Sequence, residues 1–141
     1  MTVYSGRCSC GAVTFEVAGE PLAEGYCHCR DCAQWGASPV SAFVVLPAGS
    51  VALTRGSDMV ATFNKTPKVN RKFCRNCGGH VLSVLAEEGL EEIYPDTLAD
   101  YPFAPTFHIH YASKTLALRD GLPKFRDMPA DLGGSGEMLP E

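Results

Sequence analysis

Seven cysteines stand in three close groups: Cys8-x-Cys10, Cys27-x-Cys29-x-x-Cys32 and Cys74-x-x-Cys77. Thiols at such spacing can form disulfides, act as nucleophiles or chelate a soft cation. Seven is odd, so a full set of disulfides would leave one thiol over, and metal ligation is the better account. Side chains at i and i+2 of a strand leave from the same face, so a C-x-C pair on a strand aims both sulfurs at one point. A C-x-x-C pair does the same from a tight turn, and Gly78 after Cys77 supplies the permissive backbone for one. Structural Zn²⁺ takes four thiolates in a tetrahedron, typically two from each of two pairs. The first and third groups supply that set as Cys8, Cys10, Cys74 and Cys77, which would staple the N-terminal strand to a distant turn. The middle group then offers Cys27, Cys29 and Cys32 with one position open, the pattern of a catalytic zinc site. The chain is thus expected to hold two Zn²⁺, one structural and one catalytic.

Spacing alone leaves alternatives. His80 or His28 could close the middle site and make it structural, although His28 on a strand would face away from a metal held by its neighbours. His80 could instead replace a thiol of the four-cysteine site, and other partitions of the seven remain open.

The elements that must position these groups read as all-β. In AVTFEVAG, Val13, Phe15 and Val17 alternate with Thr14 and Glu16, the mark of a half-buried strand. VSAFVVLPAG (40–49), SVALTRG (50–56), MVATFN (59–64), GGHVLSVL (78–85) and TFHIHYA (106–112) are further strands. Punctuation by Gly, Pro, Asp and Asn predicts stacked antiparallel sheets. RDCAQWG (30–36) has room for one helical turn, and little other helix is expected. At 141 residues the chain fits one domain, placed at 1–126. Residues 127–141, rich in Gly, Pro and acids, read as a surface or disordered tail.

Charge narrows the function. The formal net charge is −4 with a pI near 5.5, which argues against nucleic acid and anionic membrane as partners. Lys65, Lys68, Arg71, Lys72 and Arg75 form a local basic stretch that could meet a small acidic ligand. No run approaches the roughly 18 apolar residues of a membrane span. MTVYSGRC lacks the layout of a secretory signal, so a cytoplasmic location with reduced thiols is expected.

GRCSCGAVTFEV (6–17), EPLAEGYCHCRDC (20–32) and RKFCRNCGGHVL (71–82) resemble the glutathione-dependent formaldehyde-activating enzyme family. DTLAD (96–100) and DGLPKF (120–125) extend the resemblance from about Gly6 to Phe125. It implies a β-tent fold with a structural zinc on Cys8, Cys10, Cys74 and Cys77 and a catalytic zinc on Cys27, Cys29 and Cys32. The implied activity is that of a carbon–sulfur lyase joining formaldehyde to the thiol of glutathione.

Such a reaction needs a proton for the hemithioacetal oxygen, and Asp31 and His80 are the foremost candidates to carry it. His108 and His110, expected on one face of the FHIHY strand, are further candidates. Arg30, Lys68 and Arg71 could hold the carboxylates of a thiol substrate. Tyr26 and Trp35 flank the triplet and could wall a pocket. The competing reading is a zinc-stapled binding module that works through protein contacts and catalyses nothing.

Overall fold

The computed structural model describes residues 2–141. Among them the chain forms β1 (Tyr4–Arg7), β2 (Thr14–Val17), β3 (Ala23–Cys27), α1 (Arg30–Gly36), β4 (Ser41–Pro47) and β5 (Val51–Arg55). There follow β6 (Val60–Phe63), β7 (Asn70–Cys74), β8 (His80–Leu85), β9 (Leu90–Ile93) and β10 (Phe107–Ile109), with several single 3-10 turns. The strands belong to two sheets, and two compact units divide the chain. One comprises the chain up to Ala23 together with Val44–Phe103, the other Glu24–Phe43 with Ala104–Glu141.

In the first unit, β1, β2 and β5 form an antiparallel sheet in the order β1-β2-β5. The alternation read from the sequence holds: Val13, Phe15 and Val17 are buried, and Glu16 is exposed. They pack with Val44 and Leu46 of β4, Val81 and Leu82 of β8 and Ile93 of β9. These three strands lie in the second sheet, whose antiparallel run within this unit is β9-β8-β7-β6. The expected stacking of sheets about an apolar core is therefore present here.

Two glycines make close approaches possible. A Cβ on Gly6 would run into the ring of Phe15, its partner across the β1–β2 ladder. Gly56, with φ +77°, follows β5 where a Cβ would strike the carbonyl of Ala12. Gly56→Ala adds a left-handed backbone strain to that overlap and is expected to cost about 2–4 kcal/mol. A urea melt of the purified chain checks this; Gly36→Ala, whose Cβ meets nothing within 4 Å, is the control.

In the second unit β10 pairs with β3 in parallel, with Phe107 opposite Gly25, His108 opposite Tyr26 and Ile109 opposite Cys27. The sequence points to antiparallel neighbours only, and this pair differs because some 80 residues of chain intervene, enough for a crossover. β10 is also shorter than the expected TFHIHYA strand. It stops at Ile109, and His110 turns into the left-handed region with φ 54°. His110 therefore does not share a strand face with His108. The stretch expected to hold one turn forms the seven-residue α1, close to two turns.

Residues 127–141 follow a defined path over this unit. Phe125 bridges to Met138, the Arg126 N–H donates to the Glu137 carbonyl at 2.8 Å, and the Leu139 N–H donates to the Lys124 carbonyl at 2.8 Å. Asp127 accepts from the Met128 and Ser135 N–H groups and from the Ser135 hydroxyl, which fixes the turn between them.

Candidate metal centres

Two groups of side chains converge on points where a metal ion could sit: Cys8, Cys10, Cys74 and Cys77 in the first unit, and Cys27, Cys29 and Cys32 in the second. Within each group the sulfurs all lie within 4.8 Å of one another. The partition derived from spacing is the one the fold makes.

The C-x-C pairs sit at the ends of strands rather than inside them. β1 closes at Arg7, and Cys8 and Cys10 follow in a turn held by the Gly11 N–H donating to the Cys8 carbonyl at 3.1 Å. Cys74 ends β7, and the turn to β8 carries Cys77 and Gly78, the latter at φ +75° as the tight turn demands. The Gly78 N–H donates to the Cys74 carbonyl at 2.7 Å, and the Cys74 N–H donates to the Gly79 carbonyl at 2.9 Å. Sulfur–sulfur separations are 3.7 Å for Cys8–Cys10 and 3.9 Å for Cys10–Cys74. Four sulfurs at about 2.3 Å from a tetrahedral Zn²⁺ would stand about 3.8 Å apart, so the donor set fits.

Donors around the cluster favour thiolates. The N–H groups of Val13, Asn76 and Gly79 point at the sulfurs of Cys8, Cys74 and Cys77 at 3.3–3.4 Å. The Asn76 amide donates to Cys10 at 3.3 Å and, with the Ala12 N–H, brings that thiol down to about 6. Cys8 and Cys74 are buried while Cys10 and Cys77 are exposed, so the cluster lies at the surface end of the core.

The triplet is built differently. Cys27 ends β3 opposite Ile109, and Cys29 is the N-cap of α1, its sulfur accepting the Cys32 N–H at 3.2 Å. Cys32 then lies in the first turn, which brings the third sulfur back over the cap. Hydrogen bonds from Cys27 and Cys32 hold the Cys29 thiol far below its usual range, and His110 adds to this. Cys27, on the other side of the same hydrogen bonds and buried, is pushed far above it. Three sulfurs this close cannot all be anionic without a cation among them, and that is the chemistry of a metal ligand set.

Neither His28 nor His80 joins either group. His28, between Cys27 and Cys29, is buried with its ring turned to His108. His80 begins β8, and its ring lies tilted against that of Tyr94 with centroids 4.9 Å apart, in the first unit.

A model of the glutathione-dependent formaldehyde-activating enzymes matches residues 3–113. The chain belongs to this family. A protein of Schizosaccharomyces pombe named as an uncharacterized lyase is 32% identical over 78 residues, which are 55% of each chain. The match thus spans about half the length of that curated relative. A Rhodobacter sphaeroides protein of known crystal structure is 21% identical, with a TM-score of 0.58 over 69% of this chain and 89% of that one, which shows a shared fold.

Placed in this family fold, the residues singled out from sequence fall into two sets. Arg30 and Asp31 open α1 directly after Cys29 in the second unit. Arg30 lines an open groove of about 330 Å³ with Ala33, Ala37, Ser38, Pro39 and Thr115. His80, Lys68 and Arg71 are in the first unit, Lys68 on the exposed loop before β7 and Arg71 within β7. No helix among the described residues is long and apolar enough to cross a membrane.

Sequence reasoning missed a buried polar chain in the second unit. His28 Nε2 is 2.8 Å from His108 Nδ1, and His108 Nε2 is 2.7 Å from Asp120 Oδ2. Lys124 Nζ donates to Asp120 Oδ1 at 2.5 Å, to the Leu122 carbonyl at 2.8 Å and to Glu141 Oε2 at 3.1 Å. Burial opposes ionisation of Asp120, but hydrogen bonds from Lys124 and His108 outweigh it and hold its carboxyl below the usual range. Burial, with His108 nearby, lowers His28 to about 4. Sequence offered little signal for it: His28 lies among the cysteines, His108 in a strand-like run and Lys124 in DGLPKF.

Proposed function

We propose that this chain is a zinc-dependent carbon–sulfur lyase, or synthase in the reverse sense, that adds glutathione or a similar small thiol to formaldehyde or another small aldehyde. The observation that carries the reading is the difference between the clusters: one has four converging sulfurs, the other three. Three protein ligands with a fourth position left for substrate is the catalytic arrangement. Family membership and the lyase name of the yeast relative support the same reaction class. Held by Cys27, Cys29 and Cys32, Zn²⁺ would supply a soft Lewis acid able to lower the pKa of a thiol or to polarise a carbonyl.

The chain's own residues do the rest. Cys29, at the cap of α1, fixes the first turn so that Cys32 and Cys27 face the same point. Arg30 holds a carboxylate of the thiol substrate along the groove, where Ala33 and Pro39 give an apolar wall and Ser38 and Thr115 polar contacts. Asp31, in the first turn of α1 beside Cys32, is assigned the transfer of the proton to the hemithioacetal oxygen. A cytoplasmic location belongs to this reading, since the three free thiols need a reducing compartment.

X-ray absorption on the zinc-loaded chain, with and without glutathione, tests it together with formaldehyde turnover. Added thiol is expected to raise the mean sulfur coordination, and formaldehyde to be consumed faster than by glutathione alone. An unchanged zinc shell and no turnover would leave a zinc-stapled binding module instead.

A further inference from the structure

The buried polar chain ends at His28, the residue that separates Cys27 from Cys29, and it begins in a segment that the family model does not match. Asp120, Lys124 and Glu141 all lie beyond residue 113. We propose that His108 and Asp120 are positioning residues for the cysteine triplet: they fix the ring of His28 and, through it, the two sulfurs on either side. The inference rests on reading the triplet as a metal centre.

The geometry supports it at each link. His28 is 1% exposed; its ring meets that of His108 edge to edge, centroids 5.1 Å apart, and the Tyr111 ring, nearly perpendicular with its centroid 4.9 Å away, closes another side. The backbone N–H of His28 donates to the Ile109 carbonyl at 3.1 Å, so ring and backbone are both held. A buried imidazole with so little room cannot rotate without dragging the chain from Cys27 to Cys29. His108 is itself fully buried and is held at its far nitrogen by Asp120. Lys124, 1% exposed, neutralises that carboxylate, and Glu141 completes the lysine's partners while also accepting the Gly121 N–H at 2.9 Å.

Hydrogen-bond chemistry gives this chain a direction. A carboxylate only accepts, so His108 donates from Nε2 and presents Nδ1 as an acceptor. His28 must then donate from Nε2, which leaves its Nδ1 bare; that atom is buried and has no hydrogen-bond partner. One ionised carboxylate thus sets the tautomer of two rings in series. An amide at position 120 can present N–H groups to His108, so it no longer imposes the direction. Supports of this kind typically change metal affinity by about 10–100-fold when removed.

The test is a zinc titration of the full chain against a competing chelator, for wild type, Asp120→Asn and Glu141→Gln. Wild type is expected to fill two sites. Asp120→Asn should weaken one of them about tenfold or more and leave the other unchanged, the unchanged site reporting that the chain is folded. Glu141→Gln, a change to an exposed side chain, should shift the same site in the same direction by less. Long-range ¹H–¹⁵N spectra of wild type should show His28 protonated at Nε2 and bare at Nδ1, a signature that mere packing would not predict. Two sites of unaltered affinity in both variants, or the opposite His28 tautomer, would overturn the proposal while leaving the metal centre standing. A wild type that fills one site would remove both.

Discussion

Cys74→Ser is expected to lower the melting temperature by about 10 °C or more and to release the metal of the four-cysteine cluster. Serine nearly matches cysteine in volume, so the loss will come from ligation rather than from a cavity. Cys74 is fully buried at the end of β7, and its sulfur is 3.9 Å from that of Cys10, 64 residues away. A metal held by these four sulfurs would tie the turn after β1 to the β7–β8 turn by bonds of near-covalent strength. Metal binding at such a site is folding free energy, of order 10 kcal/mol in isolated zinc-binding peptides. That is comparable with the whole stability of a typical domain, about 5–15 kcal/mol. The apolar core of Val13, Phe15, Leu46 and Ile93 remains, so the chain should lose stability in steps rather than vanish. Thermal melts of wild type and variant, each with and without chelator, make the check. Chelator should bring the wild type down to the variant and leave the variant almost unmoved. Equal melting temperatures throughout would mean that the cluster is held by packing alone.

The cysteine groups were legible because metal ligation forces short spacings, and short spacings survive in one dimension. β2 was legible for a similar reason: Val13, Phe15 and Val17 bury one face and nothing else contends for them. β1, β3, β7 and β9 were not. YSGR, AEGYC, NRKFC and LEEI have no clean alternation, since their places are set by ladder partners and not by their own apolar pattern. Gly25 of β3 shows why: a Cβ there would come within 2.5 Å of the Phe107 carbonyl, so the close parallel pairing with β10 selects a poor strand former. The His28–His108 pair was out of reach because 80 residues separate the rings. The end of β10 was misjudged because TFHIHYA alternates convincingly, yet the His110 N–H is taken by the Asp127 carbonyl at 2.7 Å and the chain turns to meet it. In each case a contact distant in sequence overrode a local preference.

Cys29→Ser is expected to behave in the opposite way to Cys74→Ser: a nearly unaltered fold, one metal fewer, and formaldehyde consumption reduced to the rate of the uncatalysed thiol addition. Serine is among the best N-caps, so its hydroxyl can take over the hydrogen bond that the Cys29 sulfur accepts from the Cys32 N–H. α1 should therefore persist, and with it Cys32 and the buried Ala33. What serine cannot replace is the anionic sulfur. Hydrogen bonds from its neighbours, with His110 nearby, favour the thiolate at position 29, whereas a serine hydroxyl stays neutral and is a poor ligand for a soft cation. With Cys27 and Cys32 alone, a metal at this centre would have two protein ligands, too few to compete with a cellular thiol pool. Metal counting, circular dichroism and turnover on one preparation separate the possibilities. A folded variant that keeps one metal and loses turnover places the reaction at the triplet. A variant that keeps turnover would move the chemistry elsewhere and leave Cys27, Cys29 and Cys32 a structural role only.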